Sequence, residues 1–158
     1  MNGDGICRQL ESLASRGAEL SSLRNAAVRL IHESSERFHW TGIYDLFPDD
    51  TLRLGPFLGA PTDHVFIGYG QGVCGTAVAE GRNLNIPDVS RLSNYLACST
   101  ETRSELVVLI RSGERIHGQI DIDSHELAAF DDEMEREVQK VADLLARFHD
   151  GKSLHSAA

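Results

Sequence analysis

The sequence predicts an α+β fold built on a central, mainly antiparallel sheet of about six strands. Three observations predict it. Apolar residues recur at helical spacing near both ends of the chain, short extended segments bounded by turn residues fill the middle, and strands and helices nowhere alternate as a parallel sheet requires. The N- and C-terminal helices then cover one face of the sheet, and ligand-pocket loops gather on the other.

Each element has its own signal. Met1–Gly17, punctuated by Gly3, Gly5 and Gly17, reads as a flexible N-terminal segment. From Ala18, Leu20, Leu23, Ala27, Leu30 and Ile31 form a helical stripe that ends near Glu36 or Phe38. Trp40–Phe47 and Thr51–Phe57, joined through Pro48-Asp49-Asp50, read as a hairpin, and His64–Ile67 as a short strand. Val73–Glu80 is a short helix stopped at Gly81, and Leu84–Ile86 a brief strand cut by Pro87. Asp88–Arg103 is a polar loop of about 16 residues, a length that in a compact domain points to function or disorder. Glu105–Ile110 and Arg115–Asp123, joined by Ser112-Gly113, make the clearest hairpin. Phe130, Met134, Val138, Val141, Leu144, Leu145 and Phe148 mark the last helix, with Asp131, Asp132 and Glu133 at its favourable N-terminal end. The expected organisation is one domain over residues 18–150, with a frayed tail over 151–158.

A chain of 158 residues forms one ordinary domain with a core large enough to hold a small pocket. Fifteen Lys and Arg against 24 Asp and Glu give a formal charge of −9, and the two lysines, Lys140 and Lys152, form no basic stripe. Nucleic-acid binding rests on clustered positive charge, so that function class is disfavoured. No apolar run approaches the roughly 18 residues of a membrane helix. The first 23 residues lack the basic start and apolar centre of a signal peptide, so the expected location is cytoplasmic. Three cysteines are an odd number and make no disulfide framework.

Several chemistries are excluded by pattern. Gly68-x-Gly-x-Gly lacks the strand–G-x-G-x-x-G–helix context of a dinucleotide site and the Lys-Ser/Thr end of a P-loop. Cys74 and Cys98 have no C-x-x-C partner and the seven histidines no H-x-x-x-H pair, so neither a metal nor another cofactor is expected. What remains is thiols and carboxylates. Cys74 opens a short helix, where unpaired donors favour a thiolate, and Cys98 lies in the long polar loop. Either cysteine also fits as a small buried hydrophobe. Glu105 heads one hairpin strand, and Asp121 and Asp123 share one face of the other, opposite a buried face of Ile120 and Ile122. Such neighbouring carboxylates either face solvent, or have a cation to hold or a raised pKa.

Taken together, Leu54-Gly55-Pro56-Phe57-Leu58-Gly59, Gly70-Gln71-Gly72-Val73-Cys74-Gly75-Thr76-Ala77, Pro87-Asp88-Val89, Ala97-Cys98, Ser104-Glu105 and Asp121-Ile122-Asp123-Ser124 resemble the free methionine-(R)-sulfoxide reductases, which are single GAF domains. The likeness runs from about Trp40 to Phe130. It implies that Cys98 attacks the sulfoxide sulfur, and that Glu105, Asp121 and Asp123 hold the substrate's ammonium group and help activate its oxygen. It also implies that Trp40 and Tyr44 line the pocket around the methyl group, and that Cys74 is a second cysteine able to approach the nucleophile. One family feature is missing. The third cysteine, which commonly resolves the oxidised nucleophile, has no counterpart in Pro61-Thr62-Asp63-His64-Val65.

The expected function is therefore thiol-dependent reduction of free L-methionine (R)-sulfoxide through a Cys98 sulfenic acid and an intramolecular disulfide with Cys74, drawing on a thioredoxin-like electron donor. A disulfide requires the two Cα atoms to come within about 4.4–6.8 Å. Cys7 and an external thiol stand as alternative resolvers. The rival reading is a non-catalytic GAF module that binds a small amino-acid-like ligand as a metabolite or redox sensor. GAF domains often pair, so the expected assembly is a homodimer through the terminal helices.

Overall fold

The computed structural model describes residues 1–96 and 100–151. Its elements are α1 (Gly3–Ser15), α2 (Leu20–His32), β1 (Trp40–Leu46), β2 (Thr51–Leu58), β3 (Phe66–Gly68), α3 (Gly72–Glu80), β4 (Leu84–Ile86), β5 (Ser104–Ser112), β6 (Arg115–Ser124) and α4 (Asp132–His149). The strands form one six-stranded sheet in the order β3-β2-β1-β6-β5-β4, and every neighbouring pair is antiparallel. The α+β fold has the expected layers: α1, α2 and α4 pack on one face, and α3 with the long loops lies on the other.

Strand periodicity divides the core in two. On β5 and β6, Leu106, Val108, Ile110, Ile120 and Ile122 point toward the terminal helices. There they meet Ala27, Val28 and Ile31 of α2 and Val138, Val141 and Leu145 of α4. Val107 and Leu109 point the other way and join Tyr44, Leu52, Val73, Cys74, Ala77 and Val78 beneath α3. A central strand sandwiched between helices is buried on both faces, and β6 is buried continuously from Gly118 to Ser124. Asp121 and Asp123 therefore face protein, not solvent, which decides between the two readings of that pair.

The terminal helix carries strong local signals. The Asp131 side chain caps α4 by accepting a hydrogen bond from the Met134 amide at 2.7 Å. Acidic residues fill its first turn, and Arg147 and His149 its last, as the helix dipole favours. Among the described residues, no helix is long and apolar enough to cross a membrane.

The N-terminus departs from expectation. Residues 1–17 are not a loose segment: most of them form α1, capped by Asn2, whose side chain accepts from the Gly5 amide at 2.9 Å. Ile6 and Leu10, one turn apart, are buried against α4 and α2. Gly3 lies where a β-carbon would run into the Glu137 carbonyl of α4, so this glycine permits close helix packing. Tertiary burial thus overrides the low helix propensity of two glycines. Helix α2 also ends at His32, short of the expected limit, and β3 starts at Phe66. The tail expected over 151–158 lies, beyond Gly151, outside the described residues.

Leu10 is fully buried. Leu10→Ala should lower stability by about 2–5 kcal/mol in urea denaturation. A loose segment would give a change within about 0.5 kcal/mol.

Candidate active site

Four elements meet on the sheet face away from the terminal helices. Residues two apart on a strand share a face, so β6 presents Gln119, Asp121 and Asp123 as a row. Along β1, Trp40 stands opposite Asp123, Gly42 opposite Asp121 and Tyr44 opposite Gln119. On β5, Glu105 pairs with Asp123 and Val107 with Asp121. Helix α3 packs over this face and brings Cys74 to the acids. Gly42 has no side chain, and the Trp40 indole folds back into the room this leaves: a β-carbon there would collide with the far edge of the ring.

The acids are out of water. Glu105 is 3% exposed, Asp121 0% and Asp123 1%. The Cys74 thiol donates toward Glu105 Oε1 at 3.7 Å. Donor atoms of Cys74, Glu105 and Asp121 all lie within 4.8 Å of one another. Burial, then the charges of Asp121 and Asp123, push the Glu105 carboxyl well above the usual carboxylate range; the Cys74 thiol opposes this in part. Burial also raises Asp121, while Glu105 and Cys74 favour its ionised form. Among the described residues no Arg or Lys acts on either group. Carboxyls so arranged do not all ionise together, so the cluster shares protons. One thiol and two carboxylates without a histidine are a poor match to the sulfur and imidazole sets of zinc sites.

Hydrogen bonds hold the surroundings. The Trp40 indole N–H donates to the Ala60 carbonyl at 3.1 Å, and its ring stacks on Phe57 with centroids 5.6 Å apart. The Tyr44 hydroxyl donates to the His64 carbonyl at 2.8 Å. The Asn94 amide donates to the Gly70 carbonyl at 2.9 Å and accepts from the Gly72 amide at 3.4 Å. This clips the loop that runs on to Cys98 onto the turn that starts α3.

The structure thus brings together Cys74, Glu105, Asp121, Asp123 and Trp40, with Tyr44 at the deep end of the row. Cys98 lies outside the described residues. Cys7 packs with the helical core, across the sheet from Cys74. Burial and nearby Glu11 and Asp4 push its thiol up to about 11, so it is protonated at neutral pH. Two residues escape the sequence reading. Asn94 carries no signal without the turn it grips. Gln119 was legible in principle, because it stands two residues before Asp121 on the same face.

Known proteins share this fold. The GAF domain family matches residues 9–147. The free methionine-R-sulfoxide reductase of Escherichia coli (strain K12) is 37% identical over 129 residues, spanning 82% of this chain and 76% of that protein. Among solved structures, the type II free methionine-R-sulfoxide reductase from Thermoplasma acidophilum superposes with a TM-score of 0.79 at 35% identity, covering 91% of this chain and 97% of its own. The free methionine-R-sulfoxide reductase from Neisseria meningitidis, solved in complex with its substrate, gives 0.86 at 29% identity, covering 95% and 89%. With the GAF match spanning most of its length and these reductases aligned over nearly all of it, the chain belongs to the GAF family and, within it, to the free methionine-R-sulfoxide reductases.

Proposed function

We propose that the chain reduces free L-methionine (R)-sulfoxide to methionine. The observation that carries this reading is the buried acidic cluster: carboxyls and a thiol beneath an indole suit a small zwitterion with a cationic end and a methyl sulfinyl end. The substrate complex of the Neisseria meningitidis relative supports the same assignment.

In this mechanism the Cys98 thiolate attacks the sulfoxide sulfur while Glu105 delivers its proton to the oxygen. Asp121 and Asp123 hold the ammonium group, and Trp40 and Tyr44 enclose the methyl end. The oxygen passes to Cys98, which becomes a sulfenic acid, and methionine leaves. The Cys74 thiol then attacks the sulfenic sulfur, forming a disulfide and releasing water. Two thiols are oxidised for each sulfoxide reduced, and a thioredoxin-like dithiol restores them. Cys74 is the resolver in place of the missing third cysteine, since Cys7 sits across the sheet. The working form is a cytoplasmic homodimer. The rival, a sensor module that binds such a ligand without turning it over, draws on the same missing cysteine.

Reduced protein mixed with the free (R) epimer and no external reductant should form about one methionine per chain and lose two thiols. The (S) epimer should give none. Cys98→Ser should abolish the burst, whereas Cys74→Ser should keep it and stop efficient recycling by thioredoxin. Bound substrate with no burst would hand the protein to the sensor reading, and full multiple turnover in Cys74→Ser would remove that residue as resolver.

Glu105→Gln should slow the burst by about 100-fold or more. It should also change how stability depends on pH. The folded-state value of Glu105 is raised, so its stabilising contribution is complete below the ordinary carboxylate range and is lost as pH rises toward the folded value. Urea midpoints of Glu105→Gln and the parent should therefore converge near pH 4 and separate in favour of the variant as pH rises. Parallel pH dependences would remove Glu105 as the proton holder.

A further inference from the structure

Gln119 is fully buried at the deep end of the acidic row, and nothing in the mechanism above uses it. Its backbone is committed to the sheet between Tyr44 of β1 and Leu109 of β5. Its side chain points into the cluster under α3, whose members are otherwise largely apolar. Among the described residues neither Nε2 nor Oε1 finds a hydrogen-bond partner. Asp121 meets the Glu105 carboxyl and the Cys74 thiol, and its two oxygens still have lone pairs to accept a further donor. A buried amide left unmatched is costly, and an aliphatic residue at this position would avoid that cost.

The Gln119 amide and the Asp121 carboxyl are complementary. One offers an N–H and the other accepts, and they lie two residues apart on one strand face. At about 3.3 Å of rise per residue their Cα atoms are some 7 Å apart, within reach of a glutamine side chain after rotation or through one water. Of the other donors nearby, the Trp40 N–H is engaged on Ala60 and the Tyr44 hydroxyl on His64, while the Cys74 thiol and the Glu105 carboxyl share Asp121. The other titratable groups facing Asp121 are Glu105 from β5, Asp123 from β6 and Cys74 from α3, while β1 contributes Trp40, Gly42 and Tyr44. Within this set Gln119 is a neutral donor with nothing else to bond.

We propose that Gln119 is a positioning residue of the acidic cluster: its Nε2 donates to Asp121, directly or through one bound water, and so keeps Asp121 as the charged member and leaves the shared proton on Glu105. The consequence for catalysis rests on the reductase reading; the hydrogen bond does not. Because Asp121 would hold the ammonium only when ionised, Gln119 acts on the reaction through it.

The test uses the whole ligand-free chain with ¹³C-labelled Asp and Glu carboxyls, followed by NMR across pH and assigned with Asp121→Asn and Glu105→Gln. In the parent protein Asp121 should titrate below Glu105, and the side-chain amide signals of Gln119 should move with the Asp121 midpoint. This part needs no variant at position 119. Gln119→Met, similar in length but without a donor, should raise the Asp121 midpoint by about one pH unit, a tenfold change in its acidity. Gln119→Leu should do the same, and Gln119→Asn, which retains an amide, should recover part of the shift. Amide signals indifferent to the Asp121 midpoint, or unchanged midpoints in the folded Met and Leu variants, would overturn the proposal. The methionine burst, run on the same proteins, should show the acid limb of its rate–pH profile displaced upward in Gln119→Met. A parent protein that gives no burst would refute the reductase reading and leave the titration result standing.

Discussion

The constraint on which the rest of this structure depends is the burial of three carboxyl groups on one face of a sheet. Glu105, Asp121 and Asp123 sit under α3 and Trp40 almost entirely out of water. Removing charge from water is costly, and the cost falls when neighbouring acids share protons instead of ionising together. The fold must therefore hold these groups close enough to couple and rigidly enough that water does not enter. The sheet does this through strand register, which sets Glu105 against Asp123 and Val107 against Asp121 without any loop residue taking part.

That arrangement explains why so much of the chain is devoted to the opposite face. The terminal helices bury Leu10, Ile31, Val141 and Leu145 against Leu106, Val108, Ile120 and Ile122. Each of these strands thus has an aliphatic side that anchors it and a functional side that it displays. The apolar layer offsets the unfavourable burial of acids across the sheet. Gly42, opposite Asp121 in the register, belongs to the same design, because the space it leaves is filled by the Trp40 indole.

The acids and the thiol are one chemical unit. Cys74 donates toward Glu105 and also acts on Asp121, so the state of the thiol and the charge of the cluster are coupled. A disulfide at Cys74 would remove that donor from Glu105. Cys7, by contrast, lies on the helical side of the sheet with a thiol held protonated.

Local pattern determined a good deal by itself. Apolar periodicity located α4 and its acidic cap, the Ser112-Gly113 turn located the β5–β6 hairpin, and alternation put Asp121 and Asp123 on one face of β6. These signals are local because helix caps, tight turns and the two-residue strand repeat are decided by neighbours in sequence. The quoted blocks around Cys74, Glu105 and Asp123 carried the family resemblance for the same reason, since each is contiguous. Tertiary structure decided the rest. Whether the aspartates met solvent or protein depended on α3, contributed from far away in the chain. Helix α1 exists because α4 gives Ile6 and Leu10 somewhere to pack, which two glycines in its own first turn would not suggest. Gln119 looks like an ordinary polar residue in a strand; its meaning comes from being buried among Tyr44, Leu109 and Asp121. Burial is a property of what packs against a residue, and that is settled only when distant segments meet.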